Sequence, residues 1–484
     1  MVYDKLYPWQ KKLVDKIKDK DSYGLFLECG LGKTILSLAL AEINNCDKIM
    51  VITLTSKVME SDTSSFEGWS AHLNPAHKFI RVTKESKKIV FDSAPTTIIT
   101  NYEYLYSRKS KRVELRNEFQ EFIKSCKGQN VCLILDESHE VKNGSSLQAK
   151  AVAKLKSLLK INANVFKLYL LTGTPFTRDC SDLHNQLKLL GMDKSKTWFI
   201  DEFCVRDKKR GLLEWQQPII GTKNEDELFD LVHQYAVTIE SKDVLDLPEQ
   251  VFNHIIIPSS ESFIKLTSEK LDHKPNLYYR NLTYPKTTYL ADTPGALWLR
   301  ARQINIGFQG NKEDCIWYNR DRLNTLKEFL SKHPDNYVLF YNYVPELLDI
   351  FDICEELDYK IDVFSGDIKS LVYYDKYAGM SLADKTANKK RIILSNFASG
   401  STGKNWQAYN KCILFSLPIY KDWAQGIKRL HRDGQKDNVI YYVFRSNNWL
   451  DNQMFESLMN KKDYNEDLFK EGLSKWNQEE LENT

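Results

Sequence analysis

Three groups of residues in this sequence have the types and spacing that handling a phosphate chain requires. The first is Gly30-Leu31-Gly32-Lys33-Thr34, set between the apolar run 24–27 and a helix-like stretch. Glycines in a turn at a helix N-terminus let backbone N–H groups cradle phosphate oxygens. Lys33 would then reach the β- and γ-phosphates of ATP, and the Thr34 hydroxyl would hold Mg2+. Leu27 stands where the full phosphate-loop spacing has its first glycine. Alone, the stretch also fits a Gly-rich turn before an ordinary helix. The second group is Asp136-Glu137-Ser138-His139, directly after the apolar run 131–135. Two carboxylates at a strand end suit a metal-bound phosphate. Asp136 would sit at the Mg2+, and Glu137 would orient and deprotonate the attacking water. An acidic loop after a buried strand is the plain alternative, and the spacing of about 100 residues from the phosphate loop argues against it. The third group runs from Gln425 to Gln435 and contains Arg429 and Arg432. Three apart, the two arginines would project from one face of a helix, where guanidinium groups can stabilise charge on a transferring phosphoryl group. A basic, solvated helix face is the competing reading.

Such residues need a scaffold that brings distant segments together. Apolar residues at 35, 36, 38, 39, 40 and 43 give residues 33–43 a helical period. Strand-length apolar runs occupy 48–53, 96–100, 131–135 and 167–172. A second set occupies 337–341, 361–364, 391–395, 412–416 and 439–444. Strands alternating with helices predict an α/β fold with two mainly parallel sheets, each covered on both faces. The expected organisation is a first lobe at 1–180, a helical extension and linker at 181–310, a second lobe at 311–463 and an acidic helical tail at 464–484. The linker expectation rests on six prolines between 218 and 294.

Composition narrows the classes. Lys and Arg number 68 against 65 Asp and Glu, which argues against a bulk basic DNA-coating protein and leaves room for a locally basic groove. The nine cysteines are scattered and form no Cys-x-x-Cys pair, so neither a zinc site nor a redox motif is expected. No apolar run approaches a bilayer-spanning length and the first ten residues lack an apolar core, so neither a membrane partner nor a signal peptide is expected. A cytoplasmic, bacterial or infected-host setting is the resulting expectation.

The motifs together resemble superfamily 2 helicases, most specifically the Swi/Snf-type ATPases, and a compact prokaryotic or phage-like member of them. Tyr7-Pro8-Trp9-Gln10 is similar to the family's adenine-reading motif, which implies Gln10 at the base. Residues 28–34 resemble motif I, and 136–143 resemble motif II with its trailing Lys142-Asn143. Leu171-Thr172-Gly173-Thr174-Pro175 is similar to motif III, 400–406 to motif V and 425–435 to motif VI. Two departures stand out. Ile52-Thr53-Leu54-Thr55-Ser56 lacks the usual proline of motif Ia, and Ser401 and Thr402 replace part of a glycine pair in motif V.

The resemblance implies two RecA-like lobes in tandem, ATP and Mg2+ as cofactors, and Arg429 and Arg432 completing the site when the lobes close. It implies Gly30, Leu31, Gly32, Lys33 and Thr34 on the phosphates. His139, Gly173, Thr174, Gly403 and Gln425 would couple ATP state to grip. It also implies a DNA path with Thr100, Asn101, Tyr102, Thr172 and Asn405 as backbone-contact candidates. Trp406 is a candidate for stacking on bases, with core packing as the competing reading. The basic run 108–112 would widen that path electrostatically, or form a solvated loop. The function expected is a monomeric, DNA-stimulated ATP hydrolase moving 3′→5′ along DNA. RNA as the stimulating partner, a restriction or defence motor subunit, and a nucleotide-gated clamp without turnover are the alternatives. The space left outside the motifs holds no chromatin-reader module, so nucleosome remodelling is not expected.

Overall fold

The computed structural model describes residues 2–61, 68–86, 89–109, 112–176, 179–207, 213, 217–268, 282–284, 287–289, 294–310, 315–364, 390–397 and 406–460. The chain forms two units, Met1–Asp246 and Leu247–Thr484.

In the first unit seven strands form one sheet. They are β1 (Ser22–Leu27), β2 (Lys48–Thr53), β3 (Lys78–Arg81), β4 (Thr96–Asn101), β5 (Asn130–Asp136), β6 (Val165–Leu171) and β7 (Ala236–Ile239). Their spatial order is β7-β1-β6-β5-β2-β4-β3, and every pairing is parallel. Parallel strands need crossovers, so helices must cover both faces, and the strand residues alternate accordingly. Ile49, Val51, Cys132, Ile134, Tyr169 and Leu171 pack with Leu13 and Val14 of α1 (Pro8–Ile17) and Leu36 and Leu40 of α2 (Lys33–Ile43). Met50, Ile52, Leu133, Leu135, Leu168 and Leu170 pack on the other face with Phe119, Phe122, Val152, Leu155 and Leu187 from the helices Asn117–Ser125, Leu147–Asn162 and Asp182–Leu190.

The second unit repeats the plan with six strands. They are β8 (Gln250–Ile257), β9 (Tyr337–Tyr341), β10 (Lys360–Phe364), β11 (Arg391–Asn396), β12 (Lys411–Leu414) and β13 (Val439–Ser446), in the order β8-β13-β12-β9-β11-β10, again all parallel. Val338 and Phe340 face one core, Leu339 and Tyr341 the other. Arg322, only 2% exposed, ties this unit together by donating to the carbonyls of Phe415 and Phe444, to Ser446 Oγ and to Asp451 Oδ2.

The expected strands all form. The segment 181–310, expected as one helical extension and linker, instead divides between the units. Its residues 236–239 close one edge of the first sheet, and 250–257 close one edge of the second. Edge strands are bonded on one side only and need no continuous apolar run, which is why Gln250–Ile257, with mostly half-buried and exposed residues, does not announce itself. The tail 464–484 lies outside the described residues. Among the described residues no helix is long and apolar enough to cross a membrane.

Candidate active site

The three loops that carry the first unit's motifs all leave the carboxyl ends of neighbouring strands, where open parallel sheets bind ligands. β6 lies between β1 and β5, so the motif III turn sits between the phosphate loop and the carboxylate pair. Gly30 and Gly32 both adopt positive φ, 92° and 74°, and Gly32 caps α2. Only glycine takes these angles without strain, and the turn aims the loop at the helix N-terminus. Gly173 makes the second close approach. A Cβ there would lie 3.1 Å from Cys29 Sγ and 3.3 Å from the Cys29 nitrogen, so the motif III turn rests directly on the phosphate loop.

Lys33 is buried, and its Nζ donates to the carbonyls of Leu27 (2.8 Å) and Glu28 (3.3 Å). These oxygens lie at the positions from which the ammonium would turn to a phosphate. Thr34 opens α2 one residue further on, and its carbonyl accepts from Ser37 Oγ. Gln10 is also buried. Its Nε2 donates to Leu31 O at 3.0 Å and its Oε1 accepts from Tyr7 N at 2.9 Å, so this side chain braces the phosphate loop as well as lying beside it. Glu28 anchors the loop's other end: its carboxylate accepts from Ser241 N at 2.7 Å.

At the end of β5, Asp136 and Glu137 are both buried. Asp136 Oδ2 accepts from Thr53 Oγ1 (2.8 Å) and from Lys57 Nζ (3.0 Å), while Oδ1 accepts from Glu137 N. Glu137 takes a left-handed backbone at φ 52°, unusual outside glycine and asparagine. Its Oε1 accepts from Lys57 Nζ at 2.9 Å, and its Oε2 is buried without a hydrogen bond, 3.5 Å from His139 Nδ1. Burial pushes the Glu137 carboxyl up, but the charges of Lys57, His139 and Lys33 outweigh it and hold the group well below the usual carboxylate range. Burial likewise lowers Lys57, and the two carboxylates outweigh that and raise it. Removing one partner from a buried ion pair of this kind typically costs about 3–5 kcal/mol.

The set of hard oxygen donors, the Thr34 hydroxyl and the Asp136 carboxylate, suits Mg2+. Glu137 Oε2, which accepts no hydrogen bond, leaves one acceptor for a water proton. His139 is buried, with Nδ1 3.1 Å from Thr172 Oγ1, and that oxygen accepts from Thr174 N at 3.1 Å. Ser138 Oγ donates to Gln186 Oε1, and Gln186 Nε2 donates to Pro175 O. Motifs II and III are thereby one hydrogen-bonded network.

Other expected residues are placed differently. Thr100, Tyr102 and Thr172 are fully buried. Thr100 Oγ1 donates to Val82 O and Tyr102 Oη to Asp136 O, so these side chains hold the site together and leave no hydroxyl for a nucleic-acid strand. Asn101 is half-buried, with Nδ2 donating to Thr55 Oγ1 and Oδ1 accepting from Tyr104 N. In the second unit Trp406 packs in the core beside Phe340 and Phe364, where no base can stack on it. Gly403 and Asn405, and motif V to residue 405, lie outside the described residues. So do the side chains of residues 108–112. Gln425 is buried.

Arg429 and Arg432 do not share a helix face. The helix Tyr420–Gly426 gives way to a 3-10 turn at Ile427–Arg429, and Arg432 follows in a bend before Gly434 at φ 88°. The α-helix stops at Gly426, a residue of poor helix propensity, so neither arginine lies on it, and Asp433-Gly434 then turns the chain. His431 Nε2 lies 2.7 Å from Pro248 O, which fastens this turn to the start of the second unit.

A family model, the SNF2-related domain, matches residues 14–285, more than half of the sequence. The chain belongs to the SNF2-related family. Among the curated relatives of this SNF2-related chain is the chromatin structure-remodeling complex protein SYD of Arabidopsis thaliana. It is 23% identical over 90% of this chain and 12% of its own length. The DNA repair and recombination protein RAD54 of Oryza sativa is 23% identical over 90% of this chain and 48% of its own. The chain thus spans less than half the length of either relative. A search of solved structures returns the Sulfolobus solfataricus SWI2/SNF2 ATPase core in complex with dsDNA. That match is 20% identical, with a TM-score of 0.39, over 94% of this chain and 91% of that one.

Sequence reasoning missed Lys57 and Thr53 as partners of the carboxylate pair. Both lie at the stretch that departs from motif Ia. A single lysine on the six-residue helix α3 (Thr55–Glu60) carries no spacing signal, and its partners are about 80 residues away.

Proposed function

We propose that this SNF2-related chain is an ATP-driven motor that couples hydrolysis to movement along DNA. The observation that carries the reading is the buried pair Asp136–Glu137, with one carboxylate oxygen that accepts no hydrogen bond, set one strand away from a phosphate loop of two positive-φ glycines. The phosphate loop's N–H groups, Lys33 and Thr34 bind the phosphates. Glu137, held ionised, accepts the proton of the attacking water at Oε2. Thr34 and Asp136 would hold Mg2+, which would supply charge to offset the phosphate oxygens. The turn Gly173 resting on the loop, and the Thr172–His139 contact behind it, carry a change at the phosphates into β6 and β5.

Arg429 and Arg432 are proposed as the cations that stabilise charge on the transferring phosphoryl group, on the strength of the motif resemblance. Gln10 is proposed at the adenine base on the same ground. DNA as the track follows from family membership together with the DNA-directed name of the RAD54 relative. The 3′→5′ direction is proposed from the resemblance.

The test is turnover of ATP by the purified chain with duplex DNA, single-stranded DNA, RNA or no nucleic acid, with Lys33→Ala as the control. Stimulation by DNA that vanishes in Lys33→Ala supports the reading. Stimulation by RNA alone would transfer it to the RNA alternative, and ATP binding without turnover would leave a nucleotide-gated clamp.

A further inference from the structure

One cation in the first unit has no place in the motif-based account of hydrolysis. Lys57 Nζ lies 3.0 Å from Asp136 Oδ2 and 2.9 Å from Glu137 Oε1, bridging the two carboxylates. The Asp136 and Glu137 side chains are 3% and 7% exposed, whereas that of Lys57 is 22% exposed. The lysine therefore reaches the pair from the solvent side. We propose that Lys57 is the resident counter-cation of Asp136 and Glu137 and competes for them with the divalent ion, leaving the pair when metal and nucleotide bind. This rests on the ATP-site reading above.

Two buried carboxylates at one strand end repel and need a positive charge between them. Lys33 is turned to the carbonyls of Leu27 and Glu28 and hydrogen-bonds neither carboxylate, so the bridging role falls to Lys57. Asp136 Oδ2 already accepts both the Thr53 hydroxyl and the Lys57 ammonium. A hard divalent ion seeks the same oxygen, and a second cation on it would lie at contact distance from the first. One must yield. The lysine has a flexible four-carbon stem, sits on a helix of six residues and is more exposed than either carboxylate, so it is the group that can move. Lys57 acts on hydrolysis as a positioning residue, holding Glu137 and Asp136 in place until the nucleotide-borne metal takes over. Metal without nucleotide then binds poorly, because it must displace an intact ion pair unaided by phosphate oxygens.

The test titrates Mn2+ into the full, nucleotide-free chain and follows the free ion by electron paramagnetic resonance. Lys57→Met should bind Mn2+ more than about tenfold more tightly than the unaltered chain, since a competing charge is gone. Lys57→Arg, which keeps the charge, should match the unaltered chain, and Lys57→Met with Asp136→Asn should lose the gain. Equal Mn2+ affinity in Lys57→Met and the unaltered chain would overturn the proposal. Should Lys57→Met fold poorly, amine acylation of the unaltered chain read by mass spectrometry decides. Lys57 should react severalfold faster with Mg2+, ADP and beryllium fluoride present than without them, and an equal or slower rate would overturn the proposal. Binding of a fluorescent ATP analogue is measured alongside. Its failure would sink the ATP-site reading, whereas the nucleotide-free Mn2+ titration still decides the role of Lys57.

Discussion

At the scale of the residue, the site is a balance of charges in a buried place. Glu137 stays ionised although burial opposes it, because Lys57, His139 and Lys33 surround it. Replacing it by glutamine keeps the shape and removes the base. Glu137→Gln should bind a fluorescent ATP analogue as the unaltered chain does and lose roughly 10²–10⁴-fold in turnover, measured by phosphate release. The same charges fix a pH dependence. The folded-state carboxyl lies below its unfolded value, so its stabilisation is present above the ordinary carboxylate pKa and is lost as pH falls through the depressed value. The melting-temperature gap between the unaltered chain and Glu137→Gln should therefore be widest near neutrality. It should close on acidification below about pH 4. Lys57, raised above its usual value, contributes below that value and loses its contribution only in strong alkali, so it leaves the neutral range flat. A gap that widens in acid would contradict this assignment of charges.

At the scale of the element, the sequence displays what is buried on both faces and hides what is buried on one. Strands β1, β2, β4, β5 and β6 are almost wholly buried, so their apolar runs stand out. The edge strands β3, β7 and β8 are short or partly exposed, and the pattern passes over them. The phosphate loop and the carboxylate pair were legible because each is a compact cluster of characteristic residue types. Lys57 was not, since its role exists only once β2 and β5 lie side by side. The reading of Arg429 and Arg432 as one helix face fails at Gly426, where the α-helix gives way to a 3-10 turn. The buried positions of Thr100, Tyr102 and Thr172 show that motif residues can brace a site rather than touch a partner. Gly173 offers an element-scale test. Gly173→Ala would place a methyl 3.1 Å from Cys29 Sγ and 3.3 Å from the Cys29 nitrogen, so the motif III turn and the phosphate loop must separate by a few tenths of an ångström. Overpacking of this sort costs about 1–3 kcal/mol, and here it should appear as weaker ATP binding by calorimetry more than as a lower melting temperature. Unchanged ATP affinity would show that the contact between turn and loop has no part in binding.

At the scale of the whole molecule, the chain is two parallel-sheet units of one plan, and residues 14–285 match the SNF2-related family. Near balance of charge, 68 basic residues against 65 acidic, means that the proposed binding to DNA would come from local grouping of cations. Contacts to phosphates release counterions, so the DNA concentration giving half-maximal stimulation should rise more than about tenfold between 50 and 200 mM salt. A salt-independent value would point to a partner recognised without its phosphates. The central claim is that nucleic acid controls hydrolysis at the Lys33–Glu137 site. Its most direct test is the steady-state ATP turnover of the unaltered chain with and without saturating duplex DNA, with Glu137→Gln as background. The account predicts turnover that rises severalfold or more with DNA and is abolished in Glu137→Gln; equal turnover with and without DNA would contradict it.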